Sequence, residues 1–284
     1  MNRLPLILSL VLALFACSPE PSGFEIDNLY PWCIVAYDSL ERSPEERIEM
    51  MKEVGFSKYA YDWRDHHLED TERELKLAEA NDIEIISVWL WLNAKRDSVT
   101  ALSPANQRFI DILRDTKIET TVWLGFSPNY FKGKSQEESV EIAKEMIRAV
   151  ADELEGTQCK IALYNHRGWF GYPYNQVEII KELPELDLRM VYNFHHAHEY
   201  LKEFPEIVKV IRPYLVAVNL NGMHTEAQKI MSIGEGDHEQ QMIELLLNEG
   251  FNGPWGILGH VGERDVKEVL EENIEGLYSI PINN

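Results

Sequence analysis

Nine histidines punctuate this 284-residue chain, and eight of them follow directly on segments that read as β-strands: His66, His67, His166, His195, His196, His198, His224 and His260. His238 stands apart, at the start of a helix-like run. Imidazole binds transition metals and moves protons near neutral pH. Placing it at strand exits therefore concentrates chemistry at one end of a sheet or barrel. Aromatic side chains crowd the same exits: Trp63, Trp89, Trp91, Trp123, Tyr130, Tyr164, Trp169 and Phe170. A flat apolar face with a polar edge suits the CH faces of a sugar. Trp89 and Trp91, on one strand, read first as packing, whereas Trp63, Trp123 and Trp169 are candidates for lining a site. Arg167 lies in the run His166–Tyr174, whose glycines at 168 and 171 could hinge a lid. It could hold an anionic group or a hydroxyl. Asp62, Glu199 and Tyr164 are further candidate acids and bases. His195 and His196 are adjacent, so on a continuing strand only one of them would face inward.

The elements that must position these residues are short, nearly continuous apolar runs, as in strands buried on both faces. They span 30–36, 57–61, 84–92, 120–125, 160–165, 189–194, 215–220 and 255–259. Helix signals lie between them. Ser43-Pro44-Glu45-Glu46 is a capping box with proline at the first helical position, and Gly55 stops the helix it opens. Further helices are expected from Ser103-Pro104 to about 115, over 135–155, over 237–248 and over 263–277. Eight strands alternating with helices imply a single (β/α)8 TIM barrel of the α/β class, with an open doubly wound sheet as the rival. In such a barrel the active site is built at the C-terminal ends of the strands, which gathers the histidines into one cluster.

The first residues have a basic start at Arg3 and an apolar run from Leu4 to Ala16, too short to span a bilayer and in keeping with a signal peptide over 1–16. Leu14-Phe15-Ala16-Cys17 resembles a bacterial lipobox, in which the cysteine is lipidated, although Phe at the middle position is unusual and plain secretion stays open. SPEPSG then reads as part of a tether over 17–26, leaving 27–284 for the barrel. The expected location is the cell envelope, as a periplasmic or outer-membrane-anchored lipoprotein touching the membrane only through a lipid on Cys17. A net charge of −21 argues against nucleic acid as a partner. Cys33 and Cys159, far apart in the order of elements, read as two buried free thiols.

The last third carries the most specific pattern. Ile233-Gly234-Glu235-Gly236-Asp237 and then Glu249-Gly250-Phe251-Asn252-Gly253-Pro254-Trp255-Gly256-Ile257 resemble the closing segment of the xylose isomerase-like TIM barrels, the superfamily of sugar phosphate isomerases/epimerases and endonuclease IV. Ile161–His166 resembles that family's fifth-strand "alENH", and Val191–His196 its sixth-strand "D-x-x-H". The resemblance covers nearly the whole chain after the tether. It implies one divalent cation held by Glu on strand five, Asp on six, His on seven and Glu on eight. Here Tyr164, Asn193, Asn219 and Leu258 stand at those places.

His166 and His260 lie two residues beyond Tyr164 and Leu258, on the same face and roughly 6–7 Å nearer the mouth. His196 keeps the histidine of "D-x-x-H", and His224 follows Asn219 and Asn221. A relocated site is therefore expected, with His166, His196, His224 and His260 as ligands of one transition metal (Zn, Co, Ni, Mn or Fe). Metal-free use of the same imidazoles as acid and base is the alternative. His166, His196, His260 and Tyr164 are the expected catalytic residues. Asn193, Asn219, Asn221, Trp63, Trp123, Arg167 and Trp169 are the expected substrate contacts. The expected ligand is a small neutral carbohydrate. The resemblance implies isomerisation, epimerisation or a related lyase or hydratase step beginning with proton removal beside a carbonyl. A barrel that has lost catalysis and only binds carbohydrate is the rival.

Overall fold

Strand and helix alternate from residue 29 onward in the computed structural model, which describes residues 23–225 and 229–282. The strands are β1 (Leu29–Trp32), β2 (Lys58–Tyr61), β3 (Glu84–Leu92), β4 (Glu119–Phe126), β5 (Gln158–Tyr164), β6 (Arg189–Asn193), β7 (Leu215–Leu220) and β8 (Trp255–Leu258). They form one parallel sheet in the order β1-β8-β7-β6-β5-β4-β3-β2. That order brings β1 round to β2, where the Asp62 carboxylate accepts the backbone N–H groups of Ile34 (3.0 Å) and Val35 (3.0 Å) across the seam. The result is a nearly closed (β/α)8 TIM barrel.

The helices are α1 (Pro44–Val54), α2 (Leu68–Ala80), α3 (Pro104–Thr116), α4 (Gln136–Glu153), the single turn α5 (Gly168–Gly171), α6 (Pro173–Glu182), α7 (Phe204–Ile211), α8 (Glu239–Asn248) and α9 (Val266–Ser279). Local chemistry sets their starts. Ser43 and Glu46 close the capping box of α1, and Gly55, in the left-handed region at φ 101°, ends it. Ser135 and Glu138 do the same for α4, and Ser103 caps α3 through Asn106 N–H.

Side chains alternate along each strand. One set packs outward against the helices; the other fills the barrel with Tyr30, Trp32, Ala60, Trp89, Trp123, Ala162, Tyr164, Val191, Ala217 and Leu258. Large rings come from β1, β3, β4 and β5, and small residues from β2 and β7. Each fully buried ring stabilises the fold by about 1.5–3 kcal/mol.

Several expectations need correction. Phe24, within the stretch 17–26 read as tether, is fully buried with its ring 5.1 Å from Trp255. β1 stops at Trp32 because Cys33 takes φ 60°, which no strand accommodates. The run 166–174 is no open loop: α5 and α6 occupy most of it, and Phe170 is buried. Both Cys33 and Cys159 are free, but only Cys33 is buried. The expected signal peptide and Cys17 lie outside the described residues. Among the described residues no helix is long and apolar enough to cross a membrane.

Candidate active site

Where β5, β6 and β8 end, four imidazoles meet. The ring centroids of His166 and His196 lie 4.3 Å apart, those of His195 and His196 4.3 Å, and those of His195 and His260 5.5 Å. With Trp32, Cys33, Tyr37, Arg64, Trp89, Tyr164 and Asn193 they line a chamber of about 40 Å³ at the barrel mouth. Three of the four, His166, His196 and His260, were expected there.

His195 is the addition. β6 ends at Asn193, whose side-chain oxygen accepts His195 N–H (2.9 Å), and residues 194–196 wind into a 3-10 turn. On a continuing strand the two rings would diverge; on the turn both line the chamber. His195 Nδ1 lies 2.8 Å from the Lys229 carbonyl. A carbonyl only accepts, so Nδ1 carries the proton and the neutral ring keeps its lone pair on Nε2.

Burial, the proximity of the other imidazoles and the nearby Arg167 and Arg64 guanidinium groups all disfavour protonation. Desolvation is the largest cause throughout. It lowers His166 to about 3 and His195 and His260 to about 4, and it pushes His196 lower still. The four rings are neutral near pH 7. The Nδ1 atoms of His166 and His196 are buried without a hydrogen-bond partner among the described residues.

Arg167 follows His166 with φ 105° and ψ 164°, backbone that essentially only glycine adopts without strain. The chain holds this exposed arginine close enough to depress all four imidazoles. Arg64 is anchored on the carbonyls of Asp62 (2.9 Å) and Trp63 (2.8 Å) beneath Tyr37, whose ring contacts His260 at 3.6 Å between centroids. Asp62 is fully buried and spends Oδ1 on the β1–β2 seam, with burial raising its pKa. It positions Arg64 and does not reach the chamber.

Tyr164 sits under the imidazoles, 2 % exposed. Its hydroxyl accepts Trp32 Nε1–H (3.2 Å) and the Asn193 side-chain N–H. Burial drives the phenol far above its ordinary pKa, so it is neutral. Asn193 thus braces Tyr164 and the 3-10 turn while lining the chamber.

A second cavity, of about 330 Å³, opens beside the first on the β2–β3 side. Trp63, Trp89 and Trp91 line it with Arg64, Asn93, Arg96 and His166. Trp63 was expected at the site and is there, its Nε1–H on the Trp89 carbonyl (2.6 Å) and its ring stacked on Phe109 (4.5 Å, 12°). Trp89 and Trp91 read first as packing, yet they form this cavity's wall.

The remaining expected contacts lie elsewhere. Trp123 is 1 % exposed, covered by Trp32 (4.9 Å) and Tyr164 (5.9 Å), and borders the opposite end of the barrel with Glu84 and Glu119. Trp169 leans outward on Phe131 and donates to Gln136 Oε1 (2.7 Å). Asn219 is fully buried and accepts the Tyr30 hydroxyl (2.8 Å). Asn221 pins the loop after β7, donating to the Gly222 and Lys229 carbonyls and accepting Met231 N–H. His224 pairs with Asp237 and lines neither cavity. His67 accepts Arg64 N–H, so of the group 62–67 it is Trp63, Arg64 and Asp65 that reach a cavity.

The barrel and its site at the strand exits define a class, and comparison places the chain within it. Residues 48–280 match the model of the xylose isomerase-like TIM barrel family. The chain belongs to that family. No curated protein matches it in sequence. Among solved structures it is similar to the 3-keto-D-glucoside 4-epimerase YcjR from E. coli (13% identity, 88% of this chain and 97% of that chain, TM-score 0.63). It is also similar to the D-psicose 3-epimerase from Clostridium cellulolyticum H10, solved with D-tagatose (14%, 88% and 96%, 0.61). A third is a xylose isomerase-like TIM barrel protein from Mycobacterium smegmatis in complex with magnesium (16%, 84% and 87%, 0.51). At these identities the likeness is one of fold.

The family's divalent cation does not fit the residues at its usual place. Tyr164 is a neutral phenol tied to Trp32 and Asn193, Asn219 is committed to Tyr30, and Leu258 is apolar. None supplies the anionic oxygen that such an ion requires. Of the relocated set expected to hold a metal, His224 pairs with Asp237 apart from the other three, and among the described residues no three His, Cys, Asp or Glu side chains are arranged to hold an ion.

Proposed function

We propose that this protein is a carbohydrate-active enzyme of the sugar isomerase/epimerase type, secreted or lipid-anchored at the cell envelope, acting on a small neutral carbohydrate. The observation that carries the reading is the cluster of neutral imidazoles His166, His195, His196 and His260 flanked by two arginines. A neutral imidazole accepts a proton from the carbon beside a carbonyl, and the C–H electron pair moves to the carbonyl oxygen as an enediol(ate). Arg64 and Arg167 stabilise that oxygen's negative charge. The same charge draws the imidazole pKa upward as the proton arrives. The proton then returns to the adjacent carbon (isomerisation) or to the opposite face of the same carbon (epimerisation); expulsion of a β-hydroxyl as water gives the lyase variant. Family membership and the epimerase folds support this reading.

The test is a thermal-shift survey of neutral ketoses, aldoses and 3-keto sugars, followed by NMR of any sugar that raises the melting temperature. Conversion of a stabilising sugar to an isomer, epimer or dehydrated product supports the proposal. Stabilisation with every sugar recovered unchanged would favour the rival, a barrel that only binds carbohydrate.

A further inference from the structure

The imidazole chamber, at about 40 Å³, lies far below the roughly 300 Å³ at which small-molecule sites begin. The neighbouring cavity, at about 330 Å³, reaches that size. Arg64, Trp89 and His166 line both. We propose that a sugar ring binds in this lateral cavity, off the barrel axis, with its CH face on the Trp91 indole and one edge against His166. The inference rests on the carbohydrate reading above and adds where the ring lies.

Three features shape the cavity for such a ring. Trp89 and Trp91 stack at 5.6 Å and 16° and lie across Gly125, where an added Cβ would come within 2.8 Å of both indoles. Glycine there lets the two rings present one flat apolar wall, and Trp91 is only half-buried. His166 meets Trp91 nearly edge-on, at 4.6 Å and 63°, which sets the imidazole at the rim of that wall. The polar border is made of groups held in place by hydrogen bonds. Arg96 bonds Asp65 (2.9 Å), Arg64 holds two carbonyls, and Asp97 accepts Asn93 N–H (2.8 Å), Ser103 N–H (2.7 Å) and the Asn106 amide (2.9 Å). Asn93 gives its side-chain oxygen to Lys95 N–H (3.0 Å), and its amide nitrogen has no acceptor among the described residues. A wall for CH groups, an amide donor for a hydroxyl, and the carboxylates of Asp65 and Asp97 on the border, which repel phosphate, match an uncharged sugar ring better than a phosphorylated one.

The experiment is an NMR titration of the full chain, carrying 15N-labelled tryptophan, with glucose, galactose, xylose and fructose, the indole N–H signals being assigned by single substitutions. Saturable shifts of the Trp63, Trp89 and Trp91 signals are expected with at least one sugar. W91A should weaken that sugar about tenfold, while Trp91→Phe, which keeps a flat face, stays within about threefold. N93A, at the cavity border, should weaken it without altering the melting temperature, which separates loss of binding from loss of fold. A shift confined to Trp32, with W91A and N93A binding as the native chain does, would put the ring over the axis and overturn the inference while leaving the carbohydrate reading intact. If no sugar tested moves any indole signal, this inference and the carbohydrate reading both lose their support.

Discussion

The rings of His166 and His196 lie 4.3 Å apart, and the Nδ1 atom of each is buried without a hydrogen-bond partner among the described residues. Two neutral imidazoles packed this way cost stability when either is protonated, because the charge would be desolvated and face its neighbour.

This arrangement has a consequence for pH. His166, His195 and His260 are depressed in the fold to about 3 to 4 from an ordinary value of about 6.5. Between those limits the unfolded chain binds more protons than the folded one, so stability must rise with pH. The contribution is fully present above about pH 6.5 and is lost as pH falls toward 4. Thermal melts should show a steady decline over that window, and the combined variant His166→Gln, His195→Gln, His260→Gln should show a shallower one. An equal slope in both chains would mean that other groups govern the acid limb.

Tyr164 occupies the place of a carboxylate and acts as an acceptor for two donors, Trp32 Nε1–H and the Asn193 amide. Removing the hydroxyl in Tyr164→Phe leaves both donors buried and unpaired. The expected cost is about 1–3 kcal/mol by denaturant unfolding, with the barrel's circular dichroism unchanged. A change within 0.5 kcal/mol, the range of ordinary surface substitutions, would show that the phenol does not brace the chamber.

The donor set leads to an expectation about metals. With a phenol, two amides and a leucine at the family's ligand positions, dialysis against a chelator should leave melting temperature and any turnover unchanged. Zinc, cobalt, nickel, manganese, iron or magnesium added back should then have no effect. Loss of activity on chelation, restored by one of these ions, would mean that the imidazoles rearrange to bind it.

Gly125 supports the tryptophan wall. An alanine Cβ there would meet Trp89 and Trp91 at 2.8 Å, and both indoles must move. G125A should cost about 1–3 kcal/mol and change the tryptophan emission maximum. Unchanged emission and stability would mean that the strand, not the indoles, gives way.

The barrel was legible because its signals are local: nearly continuous apolar runs mark β3 and β7 to the residue, and serine caps mark α1, α3 and α4. The positions of His166 and His260 followed from the two-residue period of a strand, and that of His196 from the resemblance to "D-x-x-H". His195 was missed because the strand ends one residue earlier than its apolar run. The signal available was Asn193, a residue whose side chain readily caps the backbone two positions on. Trp123 and Trp91 could not be ranked by depth, since strand tilt staggers their levels and the lid of Trp32 and Tyr164 over Trp123 comes from other strands. Asn219 looked like a pocket amide because its partner, Tyr30, is 189 residues away.

The central claim is that these imidazoles move a proton on carbon. It is tested most directly by incubating the native chain and His166→Gln with a stabilising sugar in D2O and following deuterium at each carbon by NMR. The native chain should exchange the proton at one carbon beside the carbonyl, and His166→Gln should do so about 10² to 10⁴ times more slowly while still binding the sugar. Equal exchange in both chains, or bound sugar with no exchange in the native one, would contradict it.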